Sequence, residues 1–373
     1  MIKKVISIVV LALIIVSCSS SDSDSPDTPS GTSDNFDRQA MLVYWADAII
    51  MPVLDDVNSE LEALVQAKDA FVSTPNQANL DSLRTAWLSA YKVWQYAEMF
   101  NVGKADEIGY YKQMNIYPTN VTLIESNISN GSYDLGNSGN NAAVGFPALD
   151  YLLFGVATTD ADIVAIYSTS VNASNYTTYL SDVVNKMKML TETVVASWNS
   201  GYRADYVNRS GNSQTSAVNE TVNDFVNYYE RGLRSAKFGI PAGVFSNTPL
   251  PEKVEGYYSK VYSKELAAEA LNAVQAFFIG EAYNSTTTGP SLKAYLEYLN
   301  KSDISSSVLT QFSQAQNGIQ VLNPNFNQQI QDDNSKMTLV YDALQIGVVL
   351  LKVDMLQAFQ IQLDQGYVDN DGD

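Results

Sequence analysis

Histidine is absent from the sequence. Its absence removes the commonest general base, the Ser-His-Asp arrangement and the most frequent metal ligand together. Cysteine is almost as scarce: Cys18 is the only one in 373 residues, so no disulfide can form within the chain and the fold must rest on its core. Basic residues are few, 22 Lys and Arg against 41 Asp and Glu, giving a formal net charge of -19. So negative a chain repels phosphate backbones and anionic headgroups, which excludes a nucleic-acid partner and favours cations or basic partners. No GxxxxGK[ST], HExxH or GxSxG element appears either, so the phosphate-loop, zincin and nucleophile-elbow chemistries have no foothold.

What is present begins with MIKKVISIVVLALIIVSC, residues 1–18. Lys3 and Lys4 precede an apolar run from Val5 to Val16 that is broken only by Ser7. The run falls short of the about 20 residues a transmembrane helix needs and reads as a secretory signal. Its end, IVSC, resembles the bacterial lipobox, so Cys18 is the expected lipidation site and the membrane the expected attachment. Residues 19–33, SSSDSDSPDTPSGTS, hold no large apolar side chain and read as a flexible, acidic, Ser-rich tether. An acidic stretch directly after the lipidated Cys resembles the surface-export signal of Bacteroidetes lipoproteins. The expected location is therefore the outer membrane or cell surface.

From Asp34 onward the dominant period is helical. Ile50, Val53, Leu54, Val57, Leu61, Leu64 and Val65 recur at three-and-four spacing, as do Leu80, Leu83, Trp87, Tyr91 and Trp94, with Pro75 between the two sets. The same periodicity predicts helices near 174–199, 214–236, 264–279, 289–300, 303–322 and 330–363, and strand-like alternation is scarce. The expected fold is all-α, two four-helix-bundle-like domains related by internal duplication, over 34–240 and 241–373. Residues 101–147, rich in Asn, Gly, Tyr and Ser, and 237–260, with Pro241, Pro249 and Pro251, are expected to interrupt the helices.

The segment GFPALDYLLFG, residues 145–155, resembles the GxHxxE signature of the imelysin-like family, which is followed by an apolar YLL and a Gly. LRTAWLSAYKVWQYAEMF at 83–100 and YYSKVYSKELAAEALNAVQAFFIG at 257–280 resemble that family's amino-terminal helix and the start of its second half. The resemblance implies an extracytoplasmic helical protein whose site lies between two domains around the motif, in a family named for a peptidase and overlapping iron-uptake lipoproteins. Gly145 matches the motif Gly, Pro147 stands at the His position and Asp150 at the Glu position. Proline offers no donor atom, and one carboxylate is not a metal site. Pro147 instead suits the first turn of a helix and Asp150 the positive end of its dipole, a helix start without the motif's chemistry.

Further candidates lie outside the motif. Arg84 and Glu98 flank the aromatic face of Trp87, Tyr91 and Trp94, itself expected in the core. The resemblance to the family implies an interdomain cleft that they would line with Tyr117, from NIYPTN at 115–120, and with Asp150 and Ser263, Glu265 accompanying Ser263. No metal-ligand set is assigned. Without His or free Cys, a metal would need oxygen ligands, which points to calcium or magnesium, or to ferric iron held by carboxylates and tyrosinates. DNDGD at 369–373 alternates acids like a calcium loop but lacks the later bidentate Glu and reads as a solvated tail. The expected function is a lipid-anchored extracytoplasmic binding component of iron or nutrient uptake, its ligand a small molecule, a metal or a protein. The alternatives are an imelysin-type peptidase, which would need a water-activating centre, and a purely structural module.

Overall fold

In the first long helix Val53, Leu54, Val57, Leu61 and Leu64 are each no more than 2% exposed, the outcome that three-and-four spacing requires of a core face. The computed structural model describes residues 34–364 and Gly366. The signal segment, Cys18, the 19–33 tether and the DNDGD tail lie outside the described residues.

Helix α1 (Met51–Ser73) extends a lead-in that starts at Arg38. Helix α2 (Gln77–Ala97) starts where the Asn76 side chain accepts from the Asn79 N–H at 3.0 Å, which satisfies one of the donors a helix start leaves open. A short helix, α3 (Gly145–Asp150), and the longer α4 (Ala173–Ser197) complete the first group, with α1 packed between α2 and α4. Helix α5 (Ala217–Asn227) continues through wide, π-type turns at Tyr228–Gly239 to Ala242. It packs with α6 (Ser263–Ile279), α7 (Ser302–Gln320) and α8 (Ser335–Val349) in a second group, and α6 lies against α2 to join the groups. The fold is all-α: the described residues contain one isolated β-bridge, Glu281 with Thr288, and no strand. The described residues from Phe36 onward cluster as one compact unit. No single described helix is long and apolar enough to cross a membrane.

Two departures from the sequence reading have local causes. The 101–147 stretch is not an uninterrupted loop, because it forms helices at Lys104–Glu107, Tyr110–Met114 and Val121–Asn130. Asn120 caps the last of these through the Leu123 N–H at 3.0 Å, and Gly131, at φ 63°, ends it. The helix expected over 330–363 is broken at Asn334 into Phe326–Asp333 and α8. There the Asp333 carboxylate takes the Ser335 N–H at 3.2 Å, and Asn334 donates to the Ala242 carbonyl at 2.9 Å. Side-chain bonds of this kind compete with the helical ladder.

Candidate functional site

Gly145 fixes the entry to the motif. Its φ is 80°, and a Cβ there would press on the Met114 carbonyl and lie 2.8 Å from the Gln113 oxygen, so only glycine lets these backbones meet. Pro147 sits buried in the first turn of α3, where its missing N–H costs nothing. Asp150 is not in that first turn: it is the last residue of α3. Its role is not to complement the helix dipole. The two carboxylate oxygens accept the backbone N–H groups of Tyr258, at 2.8 Å, and Ser259, at 2.9 Å. The acid therefore clasps the motif to the turn that precedes α6, 108 residues further on. Burial pushes its pKa up to about 6, against the pull of those N–H groups.

Beside the clasp lies a denser polar centre. Glu98, the residue that ends α2, receives the Asn115 Nδ2 on both oxygens at 3.1 Å. The same amide nitrogen reaches Glu255 Oε1 at 3.0 Å, and Asn115 Oδ1 accepts from the Tyr91 hydroxyl at 2.6 Å. Carboxylates only accept and the phenol must donate, so this orientation of the amide alone satisfies all its neighbours. The other oxygen of Glu255 is ion-paired with Lys237, both side chains 2% exposed, and Lys237 also donates to Gln95 Oε1 at 2.8 Å. Ser263 donates to the Glu255 carbonyl at 2.7 Å.

One cation thus serves two acids. Burial pushes Glu98 up to about 7; Lys237 pulls it back, and Glu255 adds to the rise. Two buried donors remain open beside these acids. The Trp94 indole N–H and the Tyr228 hydroxyl have no hydrogen-bond partner among the described residues. Trp94 still stabilises the Glu98 charge from beyond hydrogen-bond geometry, while Glu98 and Glu255, after burial, hold the Tyr228 phenol well above its usual range. Tyr117 is raised for the same reasons, and Lys237 lies 5.9 Å from the centre of its ring. A recess of about 20 Å³, lined by Tyr117, Pro147, Asp150, Glu252 and Tyr257 among others, opens here. That is space for a water or an ion and too little for an organic molecule.

Four of the five expected cleft residues, Glu98, Tyr117, Asp150 and Ser263, therefore gather around Glu255. Arg84 does not. It lies fourteen residues before Glu98 on α2, about 21 Å away along the helix axis. There it holds Asp160 with two nitrogens at 2.9 and 2.8 Å, donates to the Leu153 carbonyl and covers the Phe154 ring. Glu265 also stays outside, paired with Lys92 at 2.7 Å. Among the described residues no three Asp or Glu side chains converge in a group that could hold a metal ion. The sequence reading missed Gln95, Tyr228, Lys237 and Glu255. Lys237 carried a signal, since Val226, Leu233 and Lys237 share one helical face, and a lysine on an apolar face needs a buried partner. Glu255 carried none beyond its place before Gly256.

An all-helical protein with an acid, amide and lysine centre beside a clasped GxPxxD turn is the class this structure defines. A sequence profile of the Imelysin family matches residues 50–350, and the chain belongs to that family. It is similar in fold to a putative iron-regulated protein A precursor from Parabacteroides distasonis ATCC 8503, with a TM-score of 0.72 and 19% identity over 88% of this chain and 97% of that one. An imelysin-like protein from Psychrobacter arcticum 273-4 gives a TM-score of 0.67 and 17% identity over 88% and 96%. Iron-regulated protein A of Synechococcus elongatus is 26% identical over 110 residues. That match spans 30% of this chain and 30% of the relative's length.

Proposed function

We propose that this chain is an extracytoplasmic imelysin-like protein, anchored through a lipid on Cys18, that takes part in iron acquisition by holding ferric iron rather than by cutting peptides. The observation that carries the reading is the grouping of Glu98 and Glu255 with the open Tyr228 hydroxyl and with Tyr117, the one of the four that also lines the ion-sized recess. Carboxylate and phenolate oxygens are the ligands a hard trivalent ion selects where imidazole and thiolate are lacking. Binding would expel the phenol protons, so affinity rises with pH. The iron-regulated names of two relatives agree with this reading, as does the commitment of Asp150 to two backbone N–H groups.

Titration of the soluble part of the chain with a ferric chelate tests it. Iron held by tyrosinates gives a visible charge-transfer band; the band is expected in the wild type and is expected to vanish in Tyr228→Phe and in Glu98→Gln. A colourless protein whose iron content after desalting matches a blank removes the proposal. The anchor is tested separately: Cys18→Ser is expected to move the protein from the membrane to the soluble fraction.

One observation favours a second reading. A carboxyl raised by burial to a pKa of about 7 is tuned as a general base needs to be. Cleavage of an unfolded protein substrate that is lost in Glu98→Gln, without any iron band, would select hydrolysis instead.

A further inference from the structure

A separate cavity lies apart from the motif. It is a groove of about 1000 Å³ between α2 and α6, closed at one end by the 281–286 turn. Its floor is apolar, with Ile49, Val53, Val93 and Phe277 among its residues. Tyr96 and Tyr283 stand in its wall with rings 5.7 Å apart and tilted by 65°. The charged residues that line it are Lys92, Glu269 and Glu281.

These charges are not equally engaged. Lys92 is spent on Glu265 at 2.7 Å and lies 3.8 Å from Glu269, which accepts the Tyr96 hydroxyl at 2.8 Å. Glu281 is half-buried and has neither a hydrogen bond nor an ion pair to its side chain among the described residues. Its charge and that of Glu269 both act on Tyr96, which places them on the same part of the wall. A half-buried carboxylate without a partner, set against aromatic faces above an apolar floor, is complementary to a cation that carries an organic body. A bare metal ion is a poorer fit, because two carboxylates facing one lysine supply too few ligands. The cavity's size is that of a small-molecule site, and the chain's net charge of -19 draws cations toward it.

We infer that the groove between α2 and α6 is a second binding site, for an organic amine whose ammonium group pairs with Glu281 against Tyr96 and whose apolar part lies along the floor toward Phe277. The site shares no residue with the Glu98 centre and stands or falls independently of iron binding.

Dansylcadaverine, a primary amine on an aromatic body, is a suitable probe, with uncharged dansylamide as its control. Fluorescence titration is expected to saturate with dansylcadaverine, and dansylamide is expected to bind at least about tenfold more weakly, the loss of one charge-assisted contact. Glu281→Gln should weaken the amine by a similar factor. Asn272→Trp, at an exposed position of the lining, should block it by filling the groove. Unchanged melting temperatures would show that both variants fold. Failure to saturate by about 1 mM, equal affinity for the uncharged probe, or amine binding that survives either substitution overturns the inference.

Discussion

Asp150 and Glu98 occupy one buried neighbourhood, each within electrostatic reach of Glu255, and the protein secures them in different ways. Asp150 has each oxygen closed by a backbone N–H. Glu98 has its oxygens on a single side-chain amide, and two unpartnered donors lie close by. The first arrangement fixes a backbone crossing and commits both carboxylate oxygens to it. The second leaves an acid short of partners, the usual condition of a group with work to do on something outside the chain. The recognisable motif thus holds the fold together, and the open chemistry has moved to residues outside it.

The contrast breaks most visibly at Lys237, the cation on which both acids of the centre depend. Lys237→Met leaves Glu255 buried without its ion pair, and removing one partner of a buried pair costs about 3–5 kcal/mol. Urea denaturation at pH 8 is expected to show a loss of that size. Asp150→Ala comes next. It strands the Tyr258 and Ser259 N–H groups, each worth about 1–2 kcal/mol when left unsatisfied, so about 2–4 kcal/mol should go by the same measurement. Amide exchange at 256–262 should rise while the Glu98 centre keeps its titration.

Much of this was legible before the structure. Three-and-four spacing located α1, α2, α4, α6 and α7 because helices that bury one face must repeat their apolar residues at that interval. Gly145 and Pro147 declared a turn into a helix through their own backbone preferences. The role of Asp150 was not legible, since its partners are N–H groups 108 and 109 residues away, and a backbone N–H has no residue type to betray it. Glu255 was hidden because it sits in an irregular segment where periodicity has no meaning. Arg84 was misplaced through its shared face with Glu98: one face of a 21-residue helix runs through several environments along its length.

Glu98→Gln sharpens the comparison through pH. Its carboxyl is raised to about 7 in the folded protein and titrates near 4.3 when unfolded, so between these values the native state holds the extra proton. Stability contributed by this group is then full below about pH 4.3, declines as pH rises toward 7 and is flat above. The neutral glutamine does not carry the penalty. The variant should match the wild type near pH 4 and exceed it by about 1–3 kcal/mol at pH 8, read as the difference between two urea series so that Asp150, titrating in the same window, cancels.

Arg84→Met is the smallest effect and tests the negative half of the argument. The side chain is 14% exposed and its partner Asp160 is 48% exposed, so solvent screens the pair and its loss costs about 0.5–1 kcal/mol. The contacts with the Leu153 carbonyl and the Phe154 ring add a similar amount, for about 1–2 kcal/mol in all. Because Arg84 lies about 21 Å from Glu98 along α2, beyond the screening length of about 8–10 Å in ordinary buffer, the Glu98 titration and any iron band should be unchanged. An altered Glu98 titration in this variant would mean that the two ends of α2 communicate.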